Sequence, residues 1–287
     1  MRISVLMLMT LTAATIAQAQ RSLPFCQFLD GAEAPSWEAH VSHTTDARVE
    51  APEGRDVAIW SVGGGGGLYY WRTGSGELDL TGAYDLRAFD GSGGIALPDY
   101  AAALRLNAAF VMRNWDGSAL RITAMPGIYS DLEDISFEDL GLPVEVAGIQ
   151  AFNPQVSGLI GVALYPGFIR AFDPRFGIRY APDETLRVDL MYPESRVIFR
   201  PAAVELYAGL RHDAVNEFRL EEDDSRRRMA LRETRAFTGV AWLLNDVLRM
   251  SVELGYAFNR EVDFDKNAPG RDLEEAWQVR LGIGGAL

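Results

Sequence analysis

Three histidines, two acidic runs and one glycine run are the residues of this chain whose types and spacing could do chemistry. His40 and His43 lie three apart with Asp46 nearby, which could begin a metal site. No further histidine or cysteine follows at ligand spacing, so the ordinary reading is a solvated pair. His212-Asp213 could serve an outer-membrane hydrolase if a partner came within hydrogen-bond reach. Neighbouring residues on a strand point to opposite faces, so His212 reads first as a turn histidine. The run Glu221-Glu222-Asp223-Asp224-Ser225-Arg226-Arg227-Arg228 could hold divalent cations or a lipopolysaccharide phosphate, although such runs are mostly solvated loops. Asp263, Asp265, Asn267 and Asp272 lack the central glycine and closing glutamate of a calcium loop. The glycines at 63–67 lack the lysine and hydroxyl residue of a phosphate loop. They read as a flexible turn or close-packed backbone before the first strong strand. No catalytic, cofactor-binding or metal-ligating residue is assigned, and the chain is read as non-enzymatic with no cofactor.

The elements that would carry these residues are short segments of strict alternation. In 104–113, Arg105, Asn107 and Arg113 oppose Leu104, Leu106, Phe110 and Met112. In 186–192, Arg187 and Asp189 oppose Leu186, Val188, Leu190 and Tyr192. In 204–211, Glu205 and Arg211 oppose Val204, Leu206 and Leu210. In 248–259, Arg249, Ser251, Glu253 and Asn259 oppose Leu248, Met250, Val252, Leu254, Tyr256 and Phe258. A soluble β-domain turns the apolar parity into a core, whereas a membrane barrel turns it to lipid and the polar parity to a lumen. Each polar file mixes donors and acceptors, so across neighbouring strands it could form a salt-bridged ladder.

The two ends of the chain bear on that choice. Residues 1–19 read as a secretory signal peptide: Arg2, an apolar run over 5–16, then Ala17-Gln18-Ala19 as cleavage site. Residues 20–67 read as an irregular segment with the glycine run, and 68–287 as the barrel domain. At the C-terminus Trp277, Val279, Leu281, Ile283 and Leu287 share one parity against Gln278, Arg280 and Gly282. That is the pattern of a closing barrel strand, which the barrel assembly machinery would receive. The usual terminal aromatic is replaced by Leu287. Repeated strand candidates separated by Asp-Gly, Pro-Asp and Asn-Asp breakers predict an all-β antiparallel transmembrane barrel of about 12 strands. One short helical insert is expected over 135–142. Cys26 is the one cysteine and Lys266 the one lysine, and the formal net charge of −13 argues against a nucleic-acid partner.

Several blocks resemble a bacterial family of outer-membrane β-barrel proteins that carries a domain of unknown function. They lie between Leu104 and Glu261: Met125-Pro126-Gly127-Ile128-Tyr129-Ser130-Asp131, Tyr180-Ala181-Pro182, and Leu190-Met191-Tyr192-Pro193 with Arg196 and Arg200. Leu206-Tyr207-Ala208-Gly209 and Glu253-Leu254-Gly255-Tyr256-Ala257-Phe258-Asn259-Arg260-Glu261 complete the set, the last being the most distinctive. The resemblance implies an outer-membrane location in a Gram-negative bacterium and a barrel architecture, with no activity to transfer. It also implies that Arg196, Arg200, Arg260 and Glu261 serve the barrel interior or its rim.

The candidate lumen or rim set is therefore Arg105, Arg113, Arg187, Asp189, Arg196, Arg200, Glu205, Arg211, Arg249, Glu253, Arg260, Glu261 and Arg280. The expected protein is an outer-membrane barrel that is either a narrow passive pore, with interior arginines favouring small anions or zwitterions, or a plugged structural surface protein. Its partners would be the lipid bilayer and lipopolysaccharide. The alternatives are a secreted or periplasmic β-protein that binds a ligand, and an outer-membrane hydrolase.

Overall fold

The computed structural model describes residues 36–48, 56–74, 76–91, 97–114, 116–133, 135–222, 225–244, 248–265 and 270–286. The expected signal peptide lies outside them.

Every described strand joins one hydrogen-bonded sheet. In chain order these are β1 (Ser36–Arg48), β2 (Asp56–Arg72), β3 (Gly76–Asp90), β4 (Tyr100–Arg113), β5 (Ser118–Ala124), β6 (Gly127–Ser130), β7 (Leu140–Gly141), β8 (Val144–Asn153) and β9 (Val156–Leu164). They continue as β10 (Phe172–Tyr180), β11 (Leu186–Tyr192), β12 (Glu194–Phe199), β13 (Val204–Glu222), β14 (Ser225–Leu243), β15 (Leu248–Phe264), β16 (Arg271–Leu273) and β17 (Ala276–Ala286). The ring closes where β1 pairs antiparallel with β17, Ser36 opposite Ala286 and Thr44 opposite Gln278. Closure leaves no free edge, as a lipid-embedded sheet requires.

The sheet has 17 segments but the barrel has 14 staves among the described residues. Three staves are interrupted. Pro126 separates β5 from β6, Pro143 separates β7 from β8, and Glu274-Glu275 separate β16 from β17. A proline has no N–H for the ladder. Both proline carbonyls still accept, from Leu106 N–H at 2.9 Å and Met125 N–H at 2.8 Å. The expectation of about 12 strands is thus corrected to 14. The segments 204–211 and 215–221 form one long strand, β13, while β1 runs through 36–48, where at most one short strand is expected.

The barrel begins at Ser36 rather than Leu68, a second correction. Glycines carry no side chain to mark a parity, which hides the first part of β2 and leaves only 68–73 legible as a strand. Gly63 to Gly66 pair with both β1 and β3. A Cβ on Gly63 would fall 2.6 Å from the His40 ring, so the run is close-packed backbone inside a strand and not a turn. The expected helical insert over 135–142 reduces to one 3-10 turn, Phe137–Asp139, capped by Ser136.

Connections sort by end. Those at 73–75, 114–117, 154–155, 181–185, 200–203 and 244–247 are short and lie at the end where the chain termini of the barrel meet. The opposite, loop end carries 91–99, 131–139, 165–171 and 265–270. It also carries two tight connections, Pro193 between β11 and β12 and the one between Glu222 of β13 and Ser225 of β14. This asymmetry between ends is typical of outer-membrane barrels.

Burial is inverted relative to a soluble domain. Outward Ile160 is 74% exposed and Leu190 64%, while inward Asp173 and Asp189 are 1% exposed. Charged side chains are almost never buried in soluble proteins unless paired, and large apolar side chains seldom cover a whole surface. Outward aromatics gather in two rings. Trp71, Tyr180, Phe199 and Trp242 lie toward the turn end; Trp60, Tyr100, Tyr256 and Trp277 lie toward the loop end. Such girdles mark the two interfaces of a bilayer. Among the described residues no helix is long and apolar enough to cross a membrane, which says nothing of a β-barrel.

Candidate functional site

Inside the barrel, period-two alternation aims every second residue at one lumen, and register decides which ions meet there. Arg179 of β10 opposes Asp189 of β11, whose carboxylate takes Arg179 Nε at 2.8 Å and Arg187 Nε at 2.9 Å. Glu194 of β12 receives Arg211 at 2.7 Å and Arg196 at 2.7 Å. Glu233 of β14 holds Arg235 and, at 3.3 Å, Arg260. Arg175 bridges Asp173 and Glu145, the latter at 3.1 Å. Buried ion pairs are weak contributors to stability, but an unpaired buried charge is costly. The lumen charges therefore come as clusters in which carboxylates and guanidinium groups share partners.

The candidate residues fall as follows. Arg105 faces the lumen toward Asp85. Arg113 reaches Glu77 at 3.1 Å near the turn end. Arg187, Asp189, Arg196 and Arg211 belong to the clusters just described. Arg200, beside the turn at 200–203, donates to Glu205 at 2.8 Å, and Arg249 pairs with the same carboxylate. Glu253 is buried opposite Arg280 across the β15–β17 pair. Arg260 is 2% exposed inside the wall. Glu261 stands on the outer face beyond the loop-end aromatic ring, 3.8 Å from Arg232. Asp263 adds a bond to Arg232 at 2.8 Å. Burial and the neighbouring Asp263 push the Glu261 carboxyl up. His212 and Asp213 point to opposite sides of β13, with His212 Nδ1 3.0 Å from Thr234 Oγ1.

Aromatic inward residues are a part of the site that sequence reading missed. Arg196 lies over the rings of Tyr207 and Phe237 at 5.1 and 5.3 Å, and Arg211 over Phe237 at 5.1 Å. Guanidinium groups stack on aromatic faces with useful energy when desolvated. Tyr207 lies across the wall at Gly239, where a Cβ would come within 2.3 Å of the ring. The signal was present as polar parity: Tyr207 and Phe237 share the files of Glu205 and Arg235.

The loop end is built differently. A row of bulges crosses alternate staves: on β1 between Thr44 and Ala47, on β13 between Asp213 and Asn216, and on β15 around Asn259. Asn259 sits at φ 47°, a left-handed conformation that asparagine tolerates. Bulges bend strands and reverse the parity beyond them. Above this row β13 loses its neighbour, because Pro193 turns the chain back below it. The freed edge crosses the mouth and pairs parallel with β6, Arg219 opposite Ser130, with Asp131 N–H donating to the Arg219 carbonyl at 3.1 Å.

That crossing creates a second, smaller ring of β13, β14, β15, β16, β1, β2, β3, β4 and β6. Glu274 N–H donating to the Arg48 carbonyl at 2.9 Å joins β16 to β1. Its interior is apolar, filled by Val57, Phe89, Phe218, Leu220, Met229 and Leu231 among others. Phe218 reaches far enough across for Arg87 of the opposite wall to lie 5.6 Å from its ring. The polar lumen therefore ends axially against an apolar plug. Beside the plug, the 165–171 segment packs on the β13–β14 hairpin. Ile169 N–H donates to the buried Glu217 carboxylate, and Arg228 Nη1 donates to the Gly167 carbonyl. Burial pushes the Glu217 carboxyl up to about 7, against the pull of the Ile169 N–H, Arg228 and Arg219.

No family model and no curated protein matches the chain. Solved structures with similar barrels include an outer membrane channel from Pseudomonas putida F1, 12% identical with a TM-score of 0.47, covering 90% of this chain and 97% of that one. The Pseudomonas putida toluene transporter TodX is 7% identical with a TM-score of 0.41, covering 96% of this chain and 93% of that one. The KdgM porin is 8% identical with a TM-score of 0.35, covering 87% of this chain and 99% of that one. These likenesses are of barrel architecture, and the barrel itself is read from the strand pairing.

Proposed function

We propose that this protein is an outer-membrane β-barrel acting as a narrow, non-enzymatic passive pore for small hydrophilic solutes, closed at its loop end in the state described. The observation that carries the reading is the two-faced wall: an apolar band between aromatic rings outside, and paired arginines and carboxylates inside one closed sheet. Because the lumen arginines are largely matched by carboxylates, the passage suits zwitterions and neutral polar solutes rather than anions alone. Membership of the family with a domain of unknown function, and export through the N-terminal segment, belong to the same reading. A soluble ligand-binding protein would leave Ile160, Leu190 and the other outward side chains in water at large cost.

The apolar core at the loop end favours a second reading, a plugged barrel that serves as a structural surface protein. Two measurements on the full chain separate these. Unboiled protein from urea-washed outer membranes should migrate faster than boiled protein, which reports a folded barrel. Reconstituted in planar bilayers, it should then show small, discrete conductance steps. A mobility shift without conductance under any condition supports the plugged barrel; recovery in the soluble periplasm with no shift overturns both.

A further inference from the structure

The two stacked rings differ in circumference, and the difference leaves a shoulder. The wide lower barrel includes β8, β9, β10, β11 and β12; the upper ring omits all five. Where β6 and β13 meet, the tops of those staves stand outside the plug with no sheet above them. The lumen beneath this shoulder is polar up to its edge, through Arg175, Asp173 and Glu145. At the shoulder itself the covering is only side chain and loop. Phe168 seats edge-on against Tyr129 at 5.1 Å, and Tyr165 lies behind it at 5.8 Å, its hydroxyl receiving Arg175 at 3.0 Å. A small cavity remains under the loop, lined by Asp139, Glu217 and Arg219 beside the aromatic rings.

Resting on the pore reading above, we propose that the loop-end mouth of this lumen is a side portal at the shoulder between β7 and β13, with the 165–171 segment as its door. An axial exit would require separating an apolar core drawn from most of the upper ring's strands. The side route requires far less: withdrawal of Phe168 and release of the two bonds that hold the segment to the β13–β14 hairpin, Ile169 to Glu217 and Arg228 to Gly167, while Arg170 keeps its bonds to Asp173 and Tyr192 on the hinge side. Solutes would pass Arg175, Tyr165, Glu217 and Arg219, a polar path suited to small hydrophilic molecules bearing both donors and acceptors. The plug then has a purpose of its own, since it blocks the straight route while the side route carries traffic. Anchoring β13 to β6 also gives the door a fixed frame to close against.

The test uses the full chain with Cys26→Ser and the pair Ile169→Cys and Glu217→Cys, checked for folding by heat-modifiable migration. Loss of the latch should raise open probability in planar bilayers about tenfold, the effect of removing one hydrogen bond. Bridging the two thiols with a reducible bifunctional reagent should return conductance to the unmodified level or below, and reduction should restore it. A comparison variant, Phe218→Ala with Leu231→Ala, loosens the axial plug. If that variant conducts while bridging the door changes nothing, the exit is axial and the portal is wrong, although the pore reading stands. If no folded variant conducts, the pore reading fails and the portal with it.

Discussion

Arg179 on β10 donates its Nε to the Oδ1 of Asp189 on β11 at 2.8 Å, and both side chains are buried against the lumen. The pair is a direct product of register, since the two residues are cross-strand partners. Arg187 holds the other carboxylate oxygen at 2.9 Å. One buried carboxylate therefore pairs with two guanidinium groups. Asp189→Asn should leave both partly uncompensated and cost about 3 kcal/mol. The check is the temperature at which the fast-migrating folded band disappears, which should fall. An unchanged temperature would show that water reaches this wall freely.

The outer face makes the opposite demand. Leu254 lies within the apolar band of β15, 45% exposed and opposed to the inward Glu253. Leu254→Arg should cost roughly 2–4 kcal/mol in folding into lipid vesicles if the site is near the bilayer midplane. Leu254→Ala should cost much less. Urea titration of folding into vesicles compares the two, and equal midpoints would count against lipid contact on this face.

Glu217 gives the door a pH dependence. Its folded carboxyl titrates near 7, above the ordinary glutamate value, because burial penalises the charged form. A raised acid binds more protons in the closed state than in the open one. Closure is therefore strongest at and below about pH 4.5, weakens as pH rises, and has lost up to about 3 kcal/mol above pH 7. The charged groups around it are Arg219 on its own strand, Arg228 on β14, Asp265 after β15 and Asp139 in the 3-10 turn. Glu217→Gln should flatten this dependence. Hydrogen exchange at the Ile169 amide, corrected for the intrinsic rate and compared between the two proteins across this range, measures it. A wild-type profile parallel to that of the glutamine variant would remove Glu217 from the latch.

Tyr207 and Gly239 form a test of lumen packing. With a Cβ at 239 placed 2.3 Å from the tyrosine ring, Gly239→Ala should destabilise by about 1–3 kcal/mol through overpacking. Adding Tyr207→Ala should remove that extra penalty, because the obstructing ring is gone. Thermal loss of the folded band in the two single variants and the double variant gives the coupling. Strict additivity would mean that the ring and the glycine do not meet.

Much of the lumen was legible because a strand alternates with period two whatever its surroundings. Arg105, Arg187, Asp189, Glu205, Arg211, Arg249 and Glu253 all stand on the polar parity that their local sequence marks. The full extent of the first strand and the first part of β2 were hidden for a physical reason. Glycines at 63–67 have no side chain to alternate, and His40, Ser42 and Thr44 are too small a polar signal beside them.

The sequence by itself determined the β class and the parity of most wall residues, because both depend on local alternation; which parity faces outward is set by closure of the sheet. Tertiary structure alone decided which ions share partners, since register joins residues as distant as Glu233 and Arg260. It also decided the parity beyond the bulges. Asn259 turns Arg260 inward and Glu261 outward, although strict alternation with Glu253 would have reversed them. The closure of β13 onto β6 is likewise tertiary: it arises because a stave shortened at Pro193 leaves an edge unpaired, and an unpaired backbone edge finds the nearest partner.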